Sequence, residues 1–381
     1  MPRPRAPAPP SSNARRPDTM PAPSSPAVVC IPARNEAERL PRLLRALAAQ
    51  EGFSTAAPLK VVIVSNNCTD GTVEAVRALE NSGALDTLAL RLIEATFAPS
   101  EAHVGTARRR ALDAGVDWLE SEGAPDGVLL TTDADARLAP GWVAANLRAL
   151  ENAEIVGGRL VIDDEEGAEP ALAAFHARVE RYWSGVRALE DALDPPPHDP
   201  APRHGDHTGG SLALRASLYR AVGGLPALPR GEDNALVAAV QRAGGRLRHC
   251  PDVSVLVSAR TAGRAEGGMA TEMLRRARVV REGEAYRLPV AAHWQRIILR
   301  RAALRRAYRE GAAPAALHAL GLDADDLAAI DLAACPNDIA FVERAHARLD
   351  ARDGPAPECG LDEALAALEN LAAALGRDQA A

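Results

Sequence analysis

The chain has 381 residues, 47% of them hydrophobic and 25% charged, which is typical of a soluble globular protein with one large domain and an appendage, or with two domains. Its net charge is −7 and basic residues form no stripe interleaved with aromatic residues, which argues against a general nucleic-acid binder. Lys60 is the only lysine, so a Walker-type phosphate loop and a Schiff-base mechanism are close to excluded.

The N-terminal segment, residues 1–26, is rich in Pro, Ser and Arg and has no apolar core of a signal peptide or membrane anchor. We predict a disordered tail there. No apolar run approaches the roughly 20 residues that span a bilayer. The cysteines are odd in number and scattered, which favours reduced thiols and a cytoplasmic protein.

Strands and helices alternate in the first part of the chain. The pattern predicts strands over 27–31, 59–65, 87–95 and 127–132, and helices over 36–50, from about Gly71, and over 104–120. The first of these helices places Leu40, Leu43, Leu44 and Leu47 on one face, and Thr69 or Asp70 can cap the second. This alternation implies a parallel sheet covered by helices on both faces, with ligands bound beyond the carboxyl ends of the strands.

The rest of the chain contains an irregular segment and a helical C-terminal part. A strand is predicted over 153–162, a helix over about 170–190, and a short strand and helix over 208–226. Between them, residues 194–207 (DPPPHDPAPRHGDH) cannot be regular and suggest a mobile flap. From about Gly267 the pattern is helical, with breaks at Pro289, Pro314, Pro336 and 352–357. That part forms a helical appendage.

Two aspartates follow the fourth predicted strand, in the tripeptide Asp133-Ala134-Asp135. Carboxylates this close repel each other and are costly to desolvate, so something should compensate them. A divalent cation held together with substrate phosphates suits such hard oxygen ligands, and capping of the helix after Pro140 is the alternative. The same tripeptide recurs at Asp323-Ala324-Asp325, where early acids simply suit a helix N-terminus. The metal prediction therefore depends on the position of Asp133 and Asp135 at the end of a strand.

Further polar groups occur at strand and helix ends. The segments 32–40 (PARNEAERL) and 65–72 (SNNCTDGT) follow the first two strands and either bind a ligand or form ordinary turns. Glu232 and Asp233 lie at the start of a predicted helix. They either complement the helix dipole, or one of the two carboxylates acts as a general base. Arg260 and Arg264 could clamp a diphosphate or lie in a solvated loop. The irregular spacing of His198, His204 and His207 with Asp199 and Asp206 makes a metal site there unlikely.

Taken in order, these segments resemble family 2 glycosyltransferases of the GT-A fold. The matching stretches cover about residues 27–268 and are VVCIPARNEAERLPRLLRAL, VVIVSNNCTDGT, GTARRRALDAG, LLTTDADARLAPGW, HTGGSLALRASLYRAVGGLP and GEDNALVAAVQRAGGRLRHCPDVSVLVSART. The resemblance implies a mixed, mostly parallel α/β sheet with helices on both faces, followed by the helical C-terminal region over 269–381. It also implies transfer of a sugar from a nucleoside diphosphate donor (a UDP- or GDP-sugar) to a hydroxyl acceptor, usually with Mg²⁺ or Mn²⁺ and in an inverting reaction.

The resemblance also implies roles for individual residues. The nucleotide would be held by the first two loops and by basic residues, namely Pro32, Arg34, Asn35, Glu36, Asn66, Arg108 and Arg260. Asp133 would meet the ribose or the ion, and Asp135 would ligate the ion that bridges the diphosphate. Asp233 would be the catalytic base, with Glu232 orienting the acceptor or the flap. Many relatives carry an Asp-Asp pair where this chain has Ser65-Asn66, which leaves the donor base open.

Other functions remain to be compared with this one. A dehydrogenase should show a GxGxxG motif after the first strand, and a nucleotidyltransferase a glycine-rich loop with a basic residue, but IPARNE stands there. A catalytically inactive GT-A-like binding or scaffold protein is the third alternative. The joint presence of Asp133, Asp135 and Asp233 argues against it. The C-terminal helices leave open a contact with a partner or a second copy.

Overall fold

The computed structural model of the protein describes residues 25–163, 169–258 and 269–378. The predicted disordered tail lies outside these residues, apart from Ser25 and Pro26. Within the described ranges the strands are β1 (Ala27–Ala33), β2 (Leu59–Asn66), β3 (Leu88–Ala95), β4 (Val128–Thr132), β5 (Arg137–Leu138), β6 (Ile155–Ile162), β7 (Ser211–Arg215), β8 (Leu247–Val257), β9 (Arg287–Pro289) and β10 (Glu358–Gly360).

The helices alternate with these strands and then dominate the C-terminal part. They are α1 (Leu40–Ala48), α2 (Thr72–Asn81), α3 (Val104–Ser121), α4 (Trp142–Ala149), α5 (Pro170–Leu193), α6 (Ala216–Ala221), α7 (Glu232–Arg242), α8 (Met269–Glu282), α9 (Ala291–Arg309), α10 (Pro314–Ala319), α11 (Ala324–Ile330), α12 (Asp338–Asp353) and α13 (Leu361–Asp378). A short 3-10 turn covers Leu332–Ala334. Every strand and helix predicted from the sequence has a counterpart among them.

Eight of the described strands form one sheet, in the order β3-β2-β1-β4-β7-β6-β8-β5. β1 pairs in parallel with β2 and β4, β2 with β3, and β6 with β8. β7 lies antiparallel between β4 and β6, and β5 is antiparallel to β8. The sheet is therefore mixed and mostly parallel, as predicted. The carboxyl ends of β1, β2 and β4 lie at the same edge.

The hydrophobic core forms two layers, one on each face of the sheet. On one face, Val29 and Ile31 of β1 pack with the leucines of α1, which are fully buried as their spacing predicts: Leu40, Leu43, Leu44 and Leu47. On the other face, Val28 and Cys30 pack with α3, which contributes Leu112. Successive residues of a strand point to opposite faces, so a strand buried on both faces is a continuous apolar run.

The C-terminal helices attach to two elements of the sheet part of the chain. α5 shares a hydrophobic cluster with α9 and α13, to which they contribute Tyr182, Ile298 and Leu365. α12 binds the C-terminal end of α7: the side-chain amide of Asn337 donates to the carbonyl of Gly244 (2.8 Å), and Arg344 donates to the carbonyl of Arg242 (3.0 Å). No helix of the described residues is long and apolar enough to cross a membrane.

The segment 194–207 contains no helix or strand, as its prolines and glycine predict. Its side chains nevertheless bind the elements around it. Arg203 donates to Glu190 of α5 (2.8 Å), and Asp199 accepts from Arg248 of β8 (2.9 Å). These contacts attach the segment to α5 and to the sheet; its mobility stays a prediction.

The second Asp-Ala-Asp tripeptide begins a helix, as predicted. Asp323 caps α11: its carboxylate accepts from the backbone N–H of Asp326 (2.8 Å), while Asp326 accepts in return from the backbone N–H of Asp323 (3.1 Å). Asp325 is exposed on the first turn. The carboxylate that caps the helix is therefore Asp323.

Replacing the capping residue should cost stability. We expect Asp323→Ala to lower the free energy of unfolding by about 1 kcal/mol, because a backbone N–H at the start of α11 loses its partner. Asp325→Ala in the same tripeptide is the control and should change it by less than about 0.5 kcal/mol. Urea denaturation measures both, and equal effects would contradict the capping role.

Candidate functional site

A buried arginine lies at the carboxyl end of β4 and joins separate parts of the chain. The Arg108 guanidinium, on α3, donates to Asp133 Oδ1 (2.7 Å) and to Glu232 Oε1 (3.2 Å). It also donates to Thr131 Oγ1 (2.8 Å) and to the carbonyl of Gly209 (2.7 Å). Its side chain is 3% exposed. Arg108 therefore supplies the compensating charge that the first Asp-Ala-Asp tripeptide requires.

The two carboxylates that bind Arg108 differ in their access to solvent. The Asp133 side chain is 43% exposed, whereas the Glu232 side chain is only 5% exposed. Burial raises the pKa of Glu232, against the opposite effect of Arg108. Burial also acts against the charge of Arg108, but Asp133 and Glu232 outweigh it and raise the pKa of the guanidinium. Asp133 is thus the member of this group that faces outward, and Glu232 faces the protein interior.

The glycines after the 194–207 segment make this packing feasible. A Cβ at Gly209 would lie 2.4 Å from Arg108 Cζ, so no larger residue fits without moving the guanidinium. The backbone N–H of Gly209 donates to Asp233 Oδ2 (2.7 Å), and Asp233 is half-buried at the start of α7. The loop thereby brings Asp233 to the same place as Asp133, Arg108 and Glu232.

The loops after β1 and β2 are bound to each other. Asn35 adopts a left-handed conformation (φ 54°) and its side chain accepts from the backbone N–H of Thr69 (2.8 Å). The backbone N–H of Glu36 donates to Thr72 Oγ1 (2.8 Å), and Glu36 is buried. Asp70 accepts from the backbone N–H of Thr72 (3.1 Å), but the N-cap position of α2 is Gly71, so neither Thr69 nor Asp70 occupies the predicted cap position. The segments that follow the first two strands are therefore in contact with each other.

Two residues predicted to bind a nucleotide, Asn66 and Arg34, contact the backbone just before α3, and they differ in exposure. Asn66 is 2% exposed, and its side-chain amide donates to the carbonyl of His103 (3.3 Å), while its Oδ1 has no hydrogen-bond partner among the described residues. The Arg34 guanidinium is exposed and donates to the carbonyl of Ala102. Pro32 is buried within β1. In this arrangement Arg34 is accessible to a ligand and Asn66 is not.

The other residues predicted to bind the metal ion or the diphosphate are Asp135, Arg260 and Arg264. Asp135 is half-buried next to β5, two residues from Asp133. Arg260 and Arg264 lie outside the described residues. Across the described part of the chain, no group of three or more His, Cys, Asp or Glu is placed to hold a metal ion by itself.

Some residues of the site were not singled out by the sequence. Thr131 and Gly209 accept hydrogen bonds from Arg108, but neither residue type by itself indicates a functional site. The Gly209-Gly210 pair after residues 194–207 could have indicated a close approach of the backbone to another group. His249 on β8 was missed, because β8 was not predicted as a strand. Its ring hydrogen-bonds His207 and Asp199, residues that are 42 and 50 positions away in sequence.

Comparison with known proteins finds one family match, in the first part of the chain. Residues 28–192 match the family model described as "Glycosyl transferase family 2". A search of curated proteins finds no match.

Several solved structures are similar in outline. A Pyrobaculum calidifontis mannosyltransferase, PcManGT, solved in complex with GDP-Man and Mn²⁺, is 19% identical over 89% of this chain and 91% of its own, with a TM-score of 0.43. S. aureus TarS in complex with UDP is 14% identical over 86% and 92%, with a TM-score of 0.42. Glucosyl-3-phosphoglycerate synthase from Mycobacterium tuberculosis, in complex with phosphoglyceric acid, is 15% identical over 70% and 84%, with a TM-score of 0.39. At these identities and scores, no substrate or metal is inferred from them.

Removing the guanidinium should be strongly destabilising. We expect Arg108→Met to lower the free energy of unfolding by about 3–5 kcal/mol, because the buried Glu232 carboxylate loses its partner. Adding Glu232→Gln should recover part of the loss, since a neutral amide is less costly to bury than an unpaired charge.

Arg246→Met is the matched control. Arg246 binds Glu154 through two nitrogens (2.8 Å each), but both side chains are substantially exposed. Such a pair contributes about 1 kcal/mol or less. Urea denaturation compares the variants, and similar losses for Arg108→Met and Arg246→Met would contradict the central role of Arg108.

Proposed function

We propose that the chain, whose residues 28–192 match the model of glycosyl transferase family 2, is a member of that family and transfers a sugar from a nucleoside diphosphate donor to a hydroxyl acceptor. The transfer is metal-dependent and inverts the anomeric carbon. The observation that carries this proposal is the convergence of Asp133, Arg108, Glu232 and Asp233 at the carboxyl end of β4. The transferase part corresponds to residues 27–268, with the helical region of 269–381 attached to α5 and α7.

The donor base is proposed to lie at the joined loops after β1 and β2. These loops contain Asn35 and Glu36, and the exposed guanidinium of Arg34 lies beside them at the start of α3. Asn66 stabilises this region, because its side-chain amide donates a hydrogen bond to the carbonyl of His103. Contact of Asn66 with a base would require this support to rearrange, so we assign base recognition first to Arg34. UDP- and GDP-sugars both remain candidate donors.

The donor set of the first Asp-Ala-Asp tripeptide fits a divalent cation. Asp133 has an exposed carboxylate whose Oδ1 binds Arg108, which leaves Oδ2 for another partner, and Asp135 follows two residues later. Mg²⁺ and Mn²⁺ need only one or two carboxylates when substrate phosphates supply further oxygens. The ion would be held by Asp135 with Asp133 and would neutralise the leaving diphosphate.

Asp233 is proposed as the catalytic base. It lies in the first turn of α7, where a carboxylate interacts favourably with the helix dipole, and the N–H of Gly209 donates to one of its oxygens. The acceptor hydroxyl gives its proton to Asp233 as its oxygen attacks the anomeric carbon and the diphosphate leaves from the other face. Inversion follows from this arrangement. Glu232 is buried against Arg108, so its role is to position Arg108 rather than to contact the acceptor.

Loss of Asp135 should remove cation-dependent nucleotide binding. We expect Asp135→Asn to weaken UDP or GDP binding in Mn²⁺ by at least about tenfold, since a charged ligand of the ion becomes neutral. Binding without Mn²⁺ should stay the same. Isothermal titration with and without the cation measures this, and Asp325→Asn in the second tripeptide is the control. Equal effects of Mn²⁺ on Asp135→Asn and wild type would reject Asp135 as a ligand.

Loss of Asp233 should affect turnover but not donor binding. We expect Asp233→Asn to lower kcat by roughly 10²–10⁴-fold, the usual contribution of a general base, because the amide keeps the shape and loses the basicity. Release of nucleoside diphosphate from a panel of sugar donors gives the rate, and NMR of the product gives the anomer.

Glu363→Gln is the control for Asp233→Asn, because Glu363 is an exposed acid in the first turn of α13. It should keep wild-type turnover. A retained anomeric configuration, or near-normal turnover in Asp233→Asn, would remove Asp233 from this role. No release from any donor by the wild type would favour the inactive binding protein.

A further inference from the structure

Polar side chains recur along one face of α5. Their spacing of four, seven and three residues brings them to the same side of the helix: His176, Glu180, Arg187 and Glu190. Both ends of this face are paired. His176 accepts a hydrogen bond from Arg276 of α8, and Glu190 accepts one from Arg203 of the 194–207 segment (2.8 Å). The face is therefore turned toward α8 at one end and toward that segment at the other.

The middle of this face has no such pairing. Neither Arg187 nor Glu180 makes a hydrogen bond or an ion pair through its side chain with any residue that the structure describes. Arg187 is half-buried, so a guanidinium with five N–H donors and a permanent charge is partly removed from water without an acceptor in exchange. The arginines at the two ends differ, because Arg276 binds Glu272 (2.9 Å) and Arg203 binds Glu190.

The guanidinium of Arg187 lies against the backbone of the 194–207 segment. A Cβ at Gly205 would be 3.0 Å from Arg187 Nη1, and Gly205 has a left-handed conformation (φ 88°) that favours glycine. Gly205 precedes Gly209, whose N–H donates to Asp233, by four residues, which span at most about 14 Å when fully extended. Arg187 and Asp233 therefore contact two nearby points of one loop.

The charges around Arg187 favour an additional anion. Burial lowers the pKa of Arg187, because it disfavours the charged form. Arg203 and Arg159 act in the same direction as burial, and Glu180 and Asp206 act against it without outweighing it. One of these two acids is already engaged, since Asp206 accepts from a backbone N–H of β6 (3.0 Å). A bound anion would supply the negative charge that these neighbours do not.

We propose that Arg187 binds an anionic group of the acceptor, a phosphate or a carboxylate. The inference rests on the proposed function. A guanidinium can donate two parallel hydrogen bonds to two oxygens of such a group, which fixes its orientation as well as its position. With the anionic group beside Gly205 and the reacting hydroxyl at Asp233, the acceptor extends along residues 205–209. A neutral acceptor would leave Arg187 without a partner.

Anion titration tests the site without turnover. Inorganic phosphate and acetate are added separately to the full chain, and NMR follows the backbone amide of Gly205. We expect at least one of the two anions to shift this amide in a saturable way, and the anion that binds identifies the group as phosphate or carboxylate. Arg187→Gln should weaken this binding by at least about tenfold, because a neutral amide replaces the charged donor.

Arg148→Gln is the matched control, because Arg148 is an exposed arginine in the last turn of α4. It should keep the wild-type affinity for the anion. Circular dichroism should show native folding in Arg187→Gln, since no described contact is lost. A Gly205 amide that neither anion shifts, or equal affinities in the wild type and Arg187→Gln, would overturn the proposal.

A second measurement connects the site to the acceptor. Release of nucleoside diphosphate is measured with sugars that are each offered in neutral, phosphorylated and uronate form. We expect the wild type to prefer an anionic form, and Arg187→Gln to raise the KM of that form by at least about tenfold with an unchanged KM for the donor. Equal use of neutral and anionic forms would overturn the assignment to the acceptor. Anion binding without release from any donor would instead contradict the proposed function and leave the anion site in place.

Discussion

The arrangement of the site depends on a buried cation. The Arg108 side chain is 3% exposed, and removing a guanidinium from solvent is costly unless its donors are satisfied by charged or polar partners. Asp133, Glu232, Thr131 and the carbonyl of Gly209 satisfy them together. Because these partners come from β4, α7 and the loop before β7, the geometry of all three is fixed by one side chain. Each partner also needs Arg108, since Glu232 would otherwise be a buried, unpaired carboxylate.

The start of α3 connects this charged group to the loops after β1 and β2. The carbonyls of Ala102 and His103 bind Arg34 and Asn66, and Arg108 follows on the next turn of the chain. A rigid helix therefore carries, near its N-terminus, contacts to the proposed donor loops and to the proposed reacting groups. One of the C-terminal helices, α12, contacts the C-terminal end of α7. The first turn of the same helix, α7, contains Asp233.

Much of the fold could be predicted from local patterns, and the site only in part. The leucines of α1 and the apolar runs of β1, β2 and β4 have the periodicity of buried elements, so their positions were correct. β8 was not predicted because HCPD interrupts its apolar pattern, and β9 and β10 are too short to be distinctive. Asp133 and Asp233 were singled out by their places at a strand end and a helix start, and their roles stay predictions. The partnership of Arg108 with Glu232 and that of His249 with His207 could not, because long-range pairing leaves no mark in a single sequence.

The sequence separation within the Arg108 group has a consequence for the order of folding. Arg108 and Glu232 are 124 residues apart, and Arg108 and Gly209 are 101 apart, whereas β1, β2 and β3 pair with near neighbours in the chain. Contacts between distant residues require closure of a long loop, so they form after local ones. Refolding chains should therefore acquire the first parallel strands and their helices before the charged group closes. During synthesis, this group cannot assemble until α7 has left the ribosome, so a chain stalled before that point has the first strands of the sheet but lacks the completed charged group.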